Sequence, residues 1–250
     1  MAGESAAREG AAREGVGAAG KDAARKGAGK PTFLGFDMDT LDAHCHLHHD
    51  PFFYAFAQEN PRWHFFCMSE VPDEFQAFSN SSGQALELPQ NAYLGLGLHP
   101  WKVAESAELA RAQAHNVIQL LSSTWLVGEI GLDFSSSYEH THENQLFVFR
   151  EIAGACAHAG NKVLSIHAVK AAGQALDILE ETGCLDSCTC IFHWFSGTGS
   201  ELIRARNAGC YFSFGLRALR TKRGRAYAAQ LPPNRVLHES DVFAISELQG

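Results

Sequence analysis

From about residue 38 onward, short apolar or alternating runs recur along the chain, separated by stretches with helical spacing. The runs are TLDAHCHL (40–47), WHFFCMSE (63–70), YLGLGLHP (93–100), WLVGEIGLDF (125–134), KVLSIHA (162–168), TCIFHWF (189–195), CYFSFG (210–215) and RVLHESD (235–241). Each has the length and apolar character of a buried strand. Helices are expected between them, over residues 103–121 and 142–158 among others. In the second of these, Phe149, Ile152 and Cys156 recur at helical spacing and Gly160 follows as a terminator. A helix around 71–90 is the least regular, because SNSSG interrupts it.

Strands that alternate with helices imply parallel βαβ units. Eight such units imply a (β/α)8 TIM barrel of the α/β class. After the eighth strand only VFAISELQG remains, so the eighth helix is expected to be short or missing.

Residues 1–30 differ in kind. AAREGAAREG is a tandem repeat, and the segment has no Leu, Ile, Phe or Trp with which to build a core. It reads as a disordered low-complexity tail ahead of a barrel domain spanning 38–250. The 250 residues suit one barrel, and the 46% hydrophobic and 19% charged fractions are those of a globular protein. No apolar run approaches the ~18 residues of a membrane span, and no signal segment is visible, so cytoplasmic residence without a membrane partner is expected. The seven cysteines are an odd number, which argues for reduced thiols, Cys188 and Cys190 included. A net charge of −8 excludes a protein that grips long nucleic acid through a broad basic surface, although a metal centre can still attract phosphate locally.

Functional groups of a parallel barrel gather at the carboxyl ends of its strands. Read in order, those ends carry His44 and His46, then Glu129, His167, His193 and Asp241. Alternation turns His44 and His46 to the same face. Four imidazoles and two carboxylates suit one or two divalent cations with open water positions. His48 and His49 lie beyond the first strand end and read as loop or substrate-lining positions and not as ligands. His99 in GLHP sits at the mouth of the third strand, suited either to a substrate contact or to shaping the turn with Pro100. Asp133 reads as a partner that orients a ligating histidine. Phe52, Phe53, Tyr54 and Phe56 fit either a base-stacking pocket or a core helix.

DAHCHL, GLHP, GEIGLDF, IH, HWFSG and LPPNRVLHESD occur in this order between residues 41 and 241. In these stretches the chain resembles the TatD-type metal-dependent deoxyribonucleases of the amidohydrolase superfamily. The resemblance implies a TIM barrel with two divalent metal ions (Mg2+, Mn2+ or Zn2+). It also implies hydrolysis of phosphodiester bonds at DNA ends or in short oligonucleotides by a metal-activated water. By motif, His44, His46, Glu129 and Asp241 would hold one metal, and Glu129 would bridge to a second held by His167 and His193. Asp241 and Glu129 would carry the catalytic roles. Reading HESD as the family's E-T-D makes Asp241 the ligand and leaves Glu247 as a surface residue.

Where the family usually has Arg after the fifth-strand histidine, this chain has Val169, with Lys170 beside it. Lys170 and His99 are therefore the expected substrate contacts. Trp194 stands where Cys is frequent. Two other readings follow from these departures. One is an amidohydrolase acting on a small amide or lactone, and the other is a barrel that has lost turnover and serves in binding.

Overall fold

A computed structural model describes residues 31–79 and 87–241. All eight expected strands form, as β1 (Leu41–Cys45), β2 (His64–Met68), β3 (Ala92–Gly95), β4 (Leu126–Asp133), β5 (Val163–Val169), β6 (Thr189–His193), β7 (Tyr211–Phe214) and β8 (Val236–His238). They make one parallel sheet of eight strands in the order β3-β2-β1-β8-β7-β6-β5-β4. A parallel bridge between Leu96 and Val127 joins the two ends, so the sheet closes into a barrel.

The helices are α1 (Pro51–Glu59), α2 (Pro72–Ser79), α3 (Ala107–Leu120), α4 (His142–Ala159), α5 (Ala172–Glu181), α6 (Cys184–Ser187), α7 (Gly199–Asn207), α8 (Leu216–Arg220) and α9 (Lys222–Ala228). The expected helix over 71–90 is α2 alone within the described residues, and residues 87–90 are not helical. The tail at 1–30 and the segment after Asp241, where the short or missing eighth helix was expected, lie outside the described residues. Local chemistry sets several helix starts. The Asp50 carboxylate accepts from the backbone of Phe52 and Phe53 ahead of Pro51, and Thr198 and Glu201 form a capping box at α7.

Two cores result. One lies between sheet and helices and includes Phe149, Ile152, Leu176, Phe192 and Phe212. The other fills the barrel, where the inward side chains of Leu41, Ala43, Phe66, Met68, Leu126, Val163, Ile191 and Leu237 pack together. Farther along the same strands the inward positions turn polar: His44, Glu129, Ser165, His167, His193 and Ser213 are all buried. This change from apolar to polar along one set of strands is what puts a chemical site on a packed floor.

The floor is closed from below by an element that the strand and helix pattern did not predict. Thr32–Phe33 and Phe36–Asp37 pair as an antiparallel hairpin, adding these residues to the barrel. Its turn residues Leu34 and Gly35 have φ of 52° and 91°, the positive values that a tight two-residue hairpin requires. Phe33 is 1% exposed and meets Tyr211 edge-on at 4.7 Å, while Phe36 meets Tyr93 at 5.2 Å. Truncating such a plug leaves a cavity. Phe33→Ala should lower the unfolding free energy by about 3–5 kcal/mol, read as a shifted urea midpoint. An unmoved midpoint would mean that the hairpin contributes nothing to the barrel.

Candidate metal centre

The six side chains proposed from sequence as metal ligands meet at the carboxyl end of the barrel. Glu129 is their hub. Three backbone features bring them together. Pairing shifts register between Asp42 and Cys45 on β1 and between Val127 and Ile130 on β4, and these irregularities bracket His44 and Glu129. The Glu129 amide donates to the Ser69 carbonyl (3.1 Å), and the Asp241 amide donates to the His44 carbonyl (3.1 Å), which ties the end of β8 to β1. Gly131 in β4 has φ of 140°, and a Cβ there would stand 2.0 Å from the His167 carbonyl oxygen, so only glycine lets β4 approach β5 this closely.

The Glu129 carboxylate is divided between two groups of imidazoles. Oε2 lies 3.2 Å from His44 Nε2 and 3.4 Å from His46 Nε2. Oε1 lies 2.6 Å from His167 Nδ1 and 2.7 Å from His193 Nε2. Asp241 Oδ1 closes the first group at 3.6 Å from His44 Nε2 and 4.0 Å from His46 Nε2.

The far side of each ring fixes which nitrogen is presented. His46 Nδ1 donates to the Met68 carbonyl (3.1 Å), which leaves the Nε2 lone pair facing the centre. Ser165 Oγ holds His44 Nδ1 at 2.7 Å. Asp133 Oδ2, at 3.2 Å from His167 Nε2, accepts from that ring and from the Trp101 indole (2.7 Å), so Nδ1 faces Glu129. Asp133 therefore orients His167, as its position in the sequence suggested. His99 is different. Its Nδ1 accepts from the Trp101 amide (3.1 Å), so in the neutral ring Nε2 carries the hydrogen and donates to Glu129 Oε1 at 3.0 Å. His99, suited by the sequence to either the substrate or the turn, accepts from the turn at Trp101, lines the cavity and donates to the shared carboxylate.

Whether divalent cations suit these residues can be judged from the donor chemistry. The spacings of ring nitrogens and carboxylate oxygens run from 2.6 to 4.0 Å and bracket the ~3.3 Å that separates ligands around one ion of zinc size. Among the described residues His193 Nδ1 is buried without a hydrogen-bond partner, 4.0 Å from Asp241 Oδ2. The donor set fits. Charge agrees with geometry. Burial alone would raise the Glu129 carboxyl, but His99, His193 and His44 hold it well below the usual carboxylate range. Burial, with the His193 charge added, keeps His44 well below the ordinary imidazole value and thus neutral, as a ligand must be. Burial pushes Asp241 up against the pull of His193.

A cavity of about 480 Å³ opens over the centre, lined by His99, Trp101, Glu129, His167, Val169, His193, Trp194, Arg217 and Asp241, among others. Lys170, the expected cationic substrate contact, is exposed and does not line it. The basic residue that does line it is Arg217 of α8, whose guanidinium carbon lies 6.0 Å from the centroid of the Trp194 ring. No motif marks Arg217. Only the fold brings α8 over the mouth. Glu239 was also missed as a functional residue. It is fully buried, accepts from Ser213 Oγ (2.6 Å) and the Trp194 amide (3.2 Å), and burial pushes its carboxyl up to about 8. Its two bonds tie the ends of β6 and β7 to β8, and its place in HESD was the available signal.

Comparison with known proteins agrees with this picture. The family model for TatD related DNases matches residues 41–245. TATDN3 of Mus musculus is 28% identical over 123 residues, a match that takes in 48% of this chain and 40% of TATDN3. Among solved structures, the TatD homologue YjjV of Escherichia coli K12 superposes with a TM-score of 0.66 at 20% identity, over 80% of this chain and 78% of YjjV. A TatD family hydrolase from Entamoeba histolytica gives 0.63 at 17% identity, over 80% and 73% of the two chains. At such identities the two structures speak for the fold.

A protonation test follows from the electrostatics. Burial works against a proton on His46, His167 and His193, yet the carboxylates around them, Glu129 and for His167 also Asp133, outweigh it. All three pKa values rise, that of His193 to about 10. At neutral pH the cation-free centre thus holds protons that a divalent ion must displace. Uptake of Mn2+ or Zn2+ should release protons, and apparent affinity should weaken as pH falls. Calorimetry in buffers of different ionisation enthalpy reads the proton count, and a count of zero would refute the assignment.

Proposed function

The chain belongs to the TatD related DNase family, and from that premise we propose that it is a metal-dependent deoxyribonuclease acting on DNA ends and short fragments. The observation that carries this reading is the Glu129 carboxylate, shared one oxygen to each side between the His44–His46 pair and the His167–His193 pair. Such a carboxylate suits a bridge between two divalent ions, with Asp241 on the first side. Bound there, the ions supply a water of lowered pKa and neutralise charge on the phosphoryl oxygens.

The chain's own residues do the rest. Asp241 stands at the cavity floor with its carboxyl raised by burial, fitted to accept the proton of the attacking water. His99 donates to Glu129 and keeps that carboxylate from turning away. Arg217 offers a guanidinium fork at the rim and takes over the phosphate contact that Val169 cannot make. Trp101 and Trp194 are 44% and 36% exposed and both line the cavity, which gives nucleobases flat surfaces to stack on. A small amide or lactone needs neither the guanidinium nor two exposed indoles.

End-labelled single-stranded DNA with Mg2+, Mn2+ or Zn2+, beside a lactone panel, tests the reading. Asp241→Asn should lower kcat by roughly 10²–10⁴-fold. Degradation that survives this substitution, or turnover of lactone alone, would overturn it. Arg217→Ala should raise KM for DNA by roughly tenfold while kcat changes little, as expected for one lost charge-assisted hydrogen bond. A Lys170→Ala variant that produced that rise while Arg217→Ala did not would return the phosphate contact to the loop after β5.

A further inference from the structure

Beyond the six-residue centre, the loop after β1 and the first turn of α2 bring His48, His49 and Glu74 together. His48 Nε2 lies 3.6 Å from Glu74 Oε2, and His49 Nε2 lies 3.7 Å from Glu74 Oε1. The three ligand atoms all fall within 4.8 Å of one another. The His48 side chain is only 6% exposed, and its Nε2 is buried without a hydrogen-bond partner among the described residues. The other ring nitrogen, Nδ1, is engaged by Cys67 Sγ at 3.4 Å, so the ring is held with Nε2 aimed at the carboxylate. Glu74 is anchored too, since its Oε2 accepts from the Glu70 amide at 2.7 Å.

This arrangement calls for a positive charge at its middle, supplied either by a proton or by a cation. When Nδ1 donates to Cys67, the neutral His48 ring directs a lone pair at carboxylate oxygens, a repulsive arrangement that carries a cost. A cation seated between the three groups removes that cost. The 3.6 and 3.7 Å separations are close to the about 3.4 Å between ligands that lie ~2.1 Å from a tetrahedral zinc ion. Two imidazoles and a carboxylate select a borderline transition metal over Mg2+ or Ca2+, which prefer all-oxygen shells. The cluster is separate from the main centre because His46, the nearest ligand there, already uses both ring nitrogens, on Met68 and towards Glu129. Its ring centroid lies 5.8 Å from that of His49 and 6.3 Å from that of His48.

We propose that His48, His49 and Glu74 form an additional transition-metal site at the catalytic rim, taking Zn2+ or an ion of similar softness and leaving at least one position for water. It clips the loop after β1 to α2 and sets a further cation beside the cavity. The competing occupant is a proton. Burial disfavours a proton on His48, while Cys67 and Glu74 favour one and carry its pKa to about 9.

Metal counting separates the two occupants without reference to nuclease activity, so its failure and the failure of the nuclease reading are distinguishable. The full chain and its Glu74→Gln and His49→Ala variants would each be dialysed to equilibrium against Zn2+, and the bound metal measured by mass spectrometry. The same set would be repeated on an Asp241→Asn background. Each rim variant should bind one Zn2+ per chain fewer than its parent on either background. His49 is 27% exposed, so its truncation leaves the fold intact even if Glu74→Gln does not fold. Co2+ loading should give the parent a larger visible ligand-field absorbance per chain than either rim variant. Equal zinc counts in the parent and the folded rim variants would overturn the proposal and assign the pocket to a shared proton.

Discussion

A carboxylate buried at the centre of a barrel is the constraint from which the rest of this structure follows. Glu129 is 2% exposed, and an isolated charge at that depth would be too costly to keep. It stays ionised because His99, His193 and His44 surround it, with His46 and His167 also within reach. Three of those imidazoles take their orientation from three different strands: His46 from Met68 on β2, His44 from Ser165 on β5 and His167 from Asp133 on β4. One buried charge thus dictates inward residues on most of the barrel. The closed sheet below it, plugged by Phe33 and Phe36, gives those residues a surface that does not yield.

How much of this could be read from the chain depends on whether a signal is local. Strand alternation is local, and it located all eight strands and turned His44 and His46 to one face before any tertiary information was needed. The convergence of the six proposed ligands followed from one further rule, that barrel strands are parallel and present their ends together. Arg217 illustrates the opposite case. It lies on a five-residue helix with no motif around it, and its place at the cavity depends on how the chain leaves β7. Lys170 was the natural choice from its neighbourhood to His167, yet it follows β5 with φ of 53° and is exposed outside the cavity lining. The hairpin at 32–37 was illegible for a similar reason, since two-residue strands carry no period and their value lies in contacts with distant Tyr93 and Tyr211.

His99 shows what geometry adds to a residue already under suspicion. In the sequence it was equally suited to substrate or turn. The Trp101 amide settles its tautomer by donating to Nδ1, and a ring whose Nε2 carries the hydrogen is a donor to Glu129 and not a ligand. Trp101 thereby acts twice, since its indole also donates to Asp133, the partner of His167. The exposed face of the same ring lines the cavity. A base stacked there would rest on the side chain that orients both histidines, so contact with substrate and alignment of the centre share one indole.

The acidity of the chain bears on the kind of substrate it can hold. With a net charge of −8, long-range attraction for a polyanion is weak or repulsive, and affinity cannot grow with the length of strand engaged. What attraction exists is concentrated at one rim, in the metal centre, Arg217 and two exposed tryptophans within a cavity of about 480 Å³. A cavity of that size admits a terminal nucleotide or two and not a duplex lying across a groove. For the proposed substrate, charge and shape would therefore favour a strand end, since the body of a nucleic acid would gain little from this surface while a terminal phosphate and base would each meet a partner.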